Sequence, residues 1–201
     1  MAKIGIFGGT FDPVHRGHLA VARAALRRLK LDRLYFIPAG VSPHKQHRKP
    51  RASFANRVAM LERATSGERR FAVSRLEARG AHYSIDTVRS MKRSLKKGDR
   101  LFFLIGMDAF RDLAAWWRAD ELVRECEFAV AARPGTSLAQ VARALSHGVR
   151  PRDVHIHLLR GVRAPVSGTQ VRAAARRGRS LKRLVPAAVT EYITKKRLYR
   201  S

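Results

Sequence analysis

Two histidines near the amino terminus are the side chains best suited to do chemistry. His15 and His18 are three positions apart, so one helical turn would place both rings on the same face. Imidazole N–H groups donate hydrogen bonds to phosphate oxygens, and these bonds strengthen as negative charge builds up in a transition state. A simpler interpretation is that one histidine caps a helix and the other is a solvated surface residue. The glycines before the pair favour phosphate binding.

The segments around the histidines predict how the pair is positioned. Residues 3–7 form a short apolar run typical of a buried strand, and residues 19–30 carry apolar side chains at helical spacing. Between them, Gly8 and Gly9 allow the backbone to approach a ligand closely, and Gly17 leaves room for an anion beside the rings. The first turn of the helix adds free N–H groups and a positive dipole end. Strand, glycine-rich bend and helix together outline a phosphate site.

Three later segments could also bind ligands at the ends of strands or the beginnings of helices. Ser84 is a good N-cap for a helix beginning near residue 84, and Asp108 follows the most apolar strand, residues 100–105. Asp108 could accept hydrogen bonds from ribose hydroxyls or cap the following turn. Ser167 and Thr169 begin a further helix, with Arg172 about one turn further in. The segment at Ser84 is also compatible with a capped helix that binds nothing.

Two more features are typical of binding sites. Residues 39–50 form a long polar loop rich in proline and glycine, and such loops are common binding elements. Trp116 and Trp117 are adjacent, so they cannot both point the same way from a helix, and one of them could stack on a ligand ring. Arg57, on the predicted helix over residues 53–64, is assigned a structural role. Cys126 is expected to be a small core residue.

Length and composition bound the class of protein. The chain has 201 residues, 45% of them apolar, which fits one globular domain over residues 1–201 with a small helical portion from about residue 165. Strands and helices alternate, which predicts a Rossmann-like, doubly wound α/β fold with a mainly parallel sheet flanked by helices. No apolar run is long enough for a membrane helix, no signal-peptide pattern is present, and there is one cysteine. We therefore expect a cytoplasmic protein with no membrane partner.

The charge is unusual. The chain has 42 Lys and Arg against 15 Asp and Glu, a formal net charge of +27. Such a field attracts anions, including nucleotides and nucleic acids. The basic residues are scattered through every segment rather than gathered in one tail, and no basic platform interleaved with aromatic residues is present. This distribution favours solvated basic faces over a nucleic-acid-binding function.

Residues 8–18, GGTFDPVHRGH, resemble the signature of the nucleotidyltransferases that carry a His-x-Gly-His motif. Within that superfamily the chain resembles the bacterial nicotinate-nucleotide adenylyltransferases. The resemblance extends over almost the whole chain, through Pro-His-Lys at 43–45, Tyr-Ser-x-x-Thr at 83–87, Gly-x-Asp at 106–108, the tryptophan pair, Arg-Pro-Gly at 133–135 and Ser-x-Thr-x-x-Arg at 167–172. Trp117 and Gly168 depart from the residues usual in that family.

The resemblance implies a reaction and a set of site residues. The reaction is transfer of AMP from ATP to nicotinate mononucleotide, giving deamido-NAD and pyrophosphate in NAD biosynthesis, with Mg²⁺ entering bound to ATP and no dedicated protein metal site. His15 and His18 would be catalytic. The implied ATP-binding residues are Gly8, Gly9, Thr10, Phe11, Gly17, Gly106, Asp108, Arg133, Ser167, Thr169 and Arg172. The implied nicotinate mononucleotide-binding residues are His44, Lys45, Ser84, Thr87 and Trp116.

Three alternatives stay open on the sequence. The acceptor could be pantetheine phosphate, although the Pro-His-Lys loop, residues 83–87 and the tryptophan pair suit a nicotinate ring better. The acceptor could also be the amide form, nicotinamide mononucleotide, which differs from the acid by one group; a carboxylate suits a helix N-terminus in a basic protein better. From another class, the chain could be a nucleic-acid-binding protein that keeps the fold without the activity. A homo-oligomer is compatible with each of these.

Overall fold

The computed structural model describes residues 1–40, 49–79, 82–132, 137–143, 154–162 and 165–200. Within these residues the chain forms six strands, β1 Lys3–Gly9, β2 Arg33–Pro38, β3 Phe71–Val73, β4 Arg100–Gly106, β5 Glu127–Ala131 and β6 Ile156–Leu159. The α-helices are α1 Arg16–Leu29, α2 Phe54–Thr65, α3 Ser84–Arg93, α4 Met107–Arg111, α5 Ala119–Glu125, α6 Leu138–Arg143, α7 Gly168–Arg176 and α8 Ala187–Lys195, with a short 3-10 helix at Leu113–Ala115. Strands and helices alternate as far as β6, which α7 and α8 follow.

The six strands form one sheet in the order β3-β2-β1-β4-β5-β6. Every pairing is parallel, from β2 with β3 at one edge to β5 with β6 at the other. The order reverses between β1 and β4, and open α/β sheets bind ligands at such a point, outside the carboxyl ends of the strands. The predicted doubly wound α/β class is confirmed. Gly8 and Gly9, predicted to form a bend after the strand, are instead the last two residues of β1 and pair with Ile37 and Pro38 of β2, and the chain turns at Asp12 and Pro13.

The sheet is covered on both faces, which explains why its central strands are continuously apolar. On one face Phe102 and Leu104 of β4 pack in a cluster with side chains of α1, α2, α7 and α8. On the other face Phe103 and Ile105 pack in a second cluster with side chains of α3, α4 and α5. Cys126 is buried in the second cluster, as predicted. None of the helices in the described part of the chain is long and apolar enough to cross a membrane.

Two predicted helix beginnings differ from the structure. The first helix begins at Arg16 rather than near residue 19, because His15 is its N-cap. The prediction that Ser84 is the N-cap of α3 is wrong. Tyr83 is the extended residue at that position, with φ −85° and ψ 152°, and Ser84 is the first helical residue. No side chain caps α3, so a serine at the right place in the sequence did not identify the cap.

Candidate active site

A cleft lies at the carboxyl ends of β1 and β4, where the strand order reverses. It encloses about 240 Å³ and is closed on one side by the first turn of α3. The cleft brings together seven of the residues predicted for the two substrates: Gly8, Gly9, Thr10, Ser84, Thr87, Gly106 and Trp116. These residues come from four separate segments of the chain, so the fold assembles them as the parallel topology requires.

The histidine pair forms the beginning of α1. The Nδ1 atom of His15 accepts a hydrogen bond from the backbone N–H of His18 at 3.4 Å, and Nδ1 of His18 accepts from the backbone N–H of His15 at 3.2 Å. This is a reciprocal capping box built from two imidazoles. The rings stack with their centroids 3.7 Å apart. The simpler interpretation is therefore correct only in that a histidine caps the helix; both rings take part in the cap, and burial of both contradicts a solvated surface histidine.

The two caps determine where the ring protons are. A neutral imidazole has one N–H, and an Nδ1 that accepts a hydrogen bond carries no proton, so both protons lie on Nε2. Burial lowers the pKa of His15 from 6.5 to about 4. Burial also lowers the pKa of His18 well below its ordinary value, and the neighbouring His15 lowers it further. At neutral pH the pair therefore consists of two neutral rings, each with an Nε2–H donor that the helix cap does not use.

Phe11, in the loop after β1, and Gly17, in the first turn of α1, both pack closely against the histidine pair. Phe11 adopts a left-handed backbone with φ 48°, and its buried ring packs 4.9 Å from the His18 ring. Its side chain belongs to the core, so only its backbone is available to a nucleotide. A Cβ on Gly17 would lie 3.0 Å from both His15 Nδ1 and the carbonyl oxygen of Val166. Gly17 therefore allows close packing of these neighbours, whereas the space beside Gly106 is open.

Asp12 connects this loop to distant parts of the chain, a role that the sequence did not reveal. Its carboxylate accepts hydrogen bonds from the backbone N–H groups of Arg51 and Ala52, at 2.7 and 3.1 Å, and from the Tyr199 hydroxyl at 2.7 Å. Its backbone carbonyl accepts a hydrogen bond from Arg172 at 2.7 Å. One residue thus fixes the loop to the N-terminus of α2, to α7 and to the end of the chain.

The N-terminus of α7 lies next to the histidine segment. Ser167 is the N-cap and forms a capping box with Gln170, which confirms the predicted helix beginning. Arg172 donates to the Thr169 hydroxyl at 3.2 Å. A cavity of about 180 Å³ lies here, lined by Thr169, Arg172, Ala173 and two further arginines, Arg51 and Arg176. This basic cavity suits the oxygens of a phosphate chain.

Arg57 connects backbone segments beside the cleft. Its guanidinium is buried and donates to the carbonyls of Thr10 at 2.8 Å, Ala39 at 2.7 Å and Ala52 at 3.3 Å. Burial lowers its pKa, while the neighbouring Asp12 carboxylate raises it. Arg57 joins the segments after β1 and β2, as its predicted structural role requires.

One wall of the cleft is formed by α3 and the tryptophan segment. Thr87 is buried and its hydroxyl donates to Glu77 at 2.6 Å. Trp116 lines the cleft and its ring lies edge-on to Phe103, with centroids 6.2 Å apart. Trp117 is 57% exposed and does not line the cleft. The two tryptophans thus point to different surroundings, as their adjacency predicted.

Several predicted residues lie elsewhere. Asp108 is in the first turn of α4, its side chain is 84% exposed, and its carboxylate is 4.0 Å from Arg111. It does not line the cleft in this structure. His44, Lys45 and Arg133 are outside the described residues. Among the residues that the structure describes, no three His, Cys, Asp or Glu side chains come close enough to hold a metal ion.

Comparisons with known proteins agree with this arrangement. The family model described as "Cytidylyltransferase-like" matches residues 6–174. A protein of Geobacter sulfurreducens named "Probable nicotinate-nucleotide adenylyltransferase" is 38% identical to the chain over 98% of each sequence. A protein with the same name from a Synechococcus species is 40% identical over 98% of this chain and 94% of its own. These identities extend over whole chains rather than one motif.

The fold is also similar to solved structures. A nicotinic acid mononucleotide adenylyltransferase of Plasmodium falciparum, complexed with NaAD, superposes with a TM-score of 0.81 at 16% sequence identity. That alignment covers 100% of this chain and 98% of the other. A second structure, of a putative nicotinate-nucleotide adenylyltransferase from Vibrio parahaemolyticus, gives a TM-score of 0.67 at 18% identity. At these identities the likeness establishes the fold.

Proposed function

The chain belongs to the nicotinate-nucleotide adenylyltransferase family, and we infer that it transfers the adenylyl group of ATP to nicotinate mononucleotide. The observation that carries the inference is the neutral histidine pair at the N-terminus of α1, beside a cleft at the point where the strand order reverses. Two imidazole donors and a helix N-terminus suit a phosphate chain, and the adjoining apolar cleft suits an aromatic nucleoside.

The reaction needs no covalent enzyme intermediate and no general base. A phosphate oxygen of the acceptor is already anionic, and it attacks the α-phosphorus of ATP. The bond from this phosphorus to the bridging α,β-oxygen breaks, and pyrophosphate leaves with the electron pair. Catalysis of such a transfer depends on in-line positioning and on stabilising the charge that spreads over the phosphoryl oxygens.

The histidine pair supplies that stabilisation. Both rings are neutral and both Nε2–H groups are donors, so they bind phosphate oxygens by hydrogen bonds that strengthen as charge develops. The capping box holds the rings before substrate arrives, so little reorganisation is needed at the moment of reaction. We assign His18 to the oxygens with most developing charge and His15 to the neighbouring phosphate.

The remaining contacts follow from position in the fold. The basic cavity at α7, with Thr169 and Arg172, suits the β- and γ-phosphates, and exposed Ser167 lies at its helix N-terminus. Gly106, with open space where a Cβ would be, lets adenosine approach the end of β4. Trp116 and Ser84 line the acceptor cleft, where they suit the nicotinate ring and its polar group. Asp108, His44, Lys45 and Arg133 are proposed from the family resemblance.

Mg²⁺ is proposed to enter with ATP. In nucleotide sites Mg²⁺ is commonly held mainly by phosphate oxygens and water. When bound it neutralises charge on the phosphate chain, while the protein positions the nucleotide.

The test is pyrophosphate release with ATP and Mg²⁺, comparing nicotinate mononucleotide, nicotinamide mononucleotide and pantetheine phosphate as acceptors. We expect release to favour the acid strongly. Folded protein that releases no pyrophosphate with any acceptor would contradict the proposal and favour the nucleic-acid-binding alternative. That alternative predicts binding of RNA or DNA that weakens steeply with salt.

The role of the histidines is tested by substitution. His18→Ala removes the donor and is expected to lower turnover by about 10²–10³-fold, as loss of one transition-state donor does elsewhere. His18→Gln keeps a side-chain acceptor for the capping box, so the same loss at an unchanged Tm assigns the effect to the imidazole. His155→Ala changes an exposed histidine on the opposite end of the sheet and is the control. Near-normal turnover in both His18 variants would refute the assignment.

A further inference from the structure

Glu77 is a carboxylate inside the acceptor cleft that the reaction above does not use. It lines the cleft with Thr87, and its Oε1 accepts the Thr87 hydroxyl at 2.6 Å. The backbone N–H of Gly40, at the beginning of the loop that follows β2, is near enough to lower the pKa of Glu77. Glu77 therefore joins its own segment to α3, and its charge lies where the acceptor is expected to bind.

The contact with Thr87 has a consequence for hydrogen bonding. A threonine hydroxyl has one proton and two lone pairs. While Glu77 is ionised, that proton lies between the two side chains, so Thr87 can offer only lone pairs to a ligand. If Glu77 takes up a proton, it can donate to the Thr87 oxygen, and the hydroxyl proton becomes available to the cleft. The pair can thus present either an acceptor or a donor.

The two pyridine nucleotides that could bind here differ in the group that this pair would distinguish. The acid carries an ionised carboxylate, which needs donors and is repelled by a second carboxylate nearby. The amide is neutral and has N–H groups that suit an acceptor surface. An ionised Glu77 therefore favours the amide, and a protonated Glu77 favours the acid.

We propose that Glu77 determines the choice between acid and amide acceptors, because binding of the acid is coupled to uptake of one proton by the Glu77–Thr87 pair. The proposal rests on the proposed adenylyl transfer and deepens it, since it assigns acceptor selectivity to one carboxylate. Burial of Glu77, the largest influence on it, raises its pKa above the usual carboxyl range, which places the exchange nearer to neutral pH.

The other groups that face Glu77 act on it in known directions. The Thr87 hydrogen bond, the charge of His82 and the Gly40 N–H all lower its pKa, each less than burial raises it. Among the described residues of the cleft wall, Tyr83 is the remaining ionisable one. The described wall residues that come from β1, β2, β4 and α4 carry no ionisable side chain. The carboxyl of Glu77 is therefore the acidic group expected to respond to an incoming carboxylate.

The experiment measures the ratio of kcat/KM for the acid to that for the amide between about pH 5.5 and 8.5. Titration of ATP, of the acceptor phosphate and of the histidine pair affects both acceptors alike and cancels in the ratio. In the unaltered protein we expect the ratio to fall as pH rises, approaching about tenfold per pH unit above the pKa of Glu77. In Glu77→Gln, which keeps the shape and removes the charge, we expect a ratio that does not change with pH.

Four further variants separate the proposal from other causes. Glu191→Gln removes an exposed carboxylate on α8 and should keep the dependence of the unaltered protein. Thr87→Val removes the shared hydroxyl and should weaken the dependence, whereas Thr87→Ser should restore it. His82→Gln tests whether the neighbouring imidazole, rather than Glu77, causes the pH dependence of the ratio. Each variant is first shown to be folded by its Tm.

Calorimetry supplies a readout without turnover. Binding of the acid in buffers of different ionisation enthalpy should show uptake of up to about one proton, and binding of the amide should show none. The proposal for Glu77 would be overturned if the ratio of kcat/KM in the unaltered protein did not change with pH. It would also be overturned if Glu77→Gln kept the same pH dependence, or if the dependence disappeared only in His82→Gln. Absence of turnover and of binding with either acceptor would instead contradict the proposed function.

Discussion

Acid pH should destabilise this protein through the histidine pair. His15 has a pKa near 4 in the folded protein and 6.5 when unfolded, because its ring is buried with 6% of the residue exposed. Below pH 6.5 His15 becomes protonated in the unfolded chain, whereas in the folded protein it becomes protonated only below about pH 4. The contribution of His15 to the free energy of unfolding is therefore fully present above pH 6.5 and decreases as pH falls towards 4.

The magnitude follows from the linkage between proton binding and folding. Each pH unit of this interval corresponds to about 1.4 kcal/mol. Between pH 7.5 and pH 5, about one and a half units lie inside it, so His15 alone lowers the free energy of unfolding by about 2 kcal/mol. The pKa of His18 is also lowered, so its contribution has the same sign.

The measurement is urea denaturation at the two pH values, followed by tryptophan fluorescence. The matched variant is His15→Asn, because asparagine is an effective N-cap that does not titrate. The stability of this variant should fall by about 2 kcal/mol less than that of the unaltered protein over the same interval. His155→Asn, at an exposed position, should behave as the unaltered protein. If unaltered protein and His15→Asn lose stability in parallel, the protonation assigned to His15 is wrong.

Three further results are expected. Gly17→Ala places a Cβ at 3.0 Å from His15 and the Val166 carbonyl, so it should lower the free energy of unfolding by about 1–3 kcal/mol and reduce kcat; normal values would refute that packing. Tyr199→Phe removes a hydrogen bond to Asp12 and should cost about 1.5–3 kcal/mol in a denaturation experiment, unless that bond is absent in solution. With a net charge of +27, kcat/KM for ATP should fall as salt rises while kcat changes little, and a salt-independent kcat/KM would exclude electrostatic steering.

The sequence predicts those parts of the site whose signals lie within a short stretch of neighbouring residues. The apolar run of β1, the two glycines at its end and the His15–His18 spacing lie within sixteen residues, and each carries its own physical signal. Ser167 as a helix N-cap is a signal of the same kind. Alternation of strands and helices then places these segments at the carboxyl edge of a parallel sheet, because that topology leaves few other arrangements.

The parts that sequence misses depend on contacts between distant residues. Asp12 accepts a hydrogen bond from Tyr199, which is 187 positions away in the sequence. Glu77 accepts a hydrogen bond from Thr87, and neither residue type predicts that contact by itself. The N-cap of α3 was missed because Ser84 has a suitable side chain, whereas the extended backbone is that of Tyr83. Gly17 is predicted to leave room for an anion, whereas the space where its Cβ would be lies against the His15 ring and the Val166 carbonyl.

These distant contacts have a common effect on the proposed chemistry. Arg172 lies in the cavity suited to the β- and γ-phosphates, and it donates to the carbonyl of Asp12, three residues before His15. The missing side chain of Gly168 permits this approach, because a Cβ there would be 3.0 Å from the Arg172 guanidinium. The two ends of a bound triphosphate would therefore contact segments that are already joined to each other. Positioning of this kind suits a reaction that depends on alignment rather than on a reactive side chain.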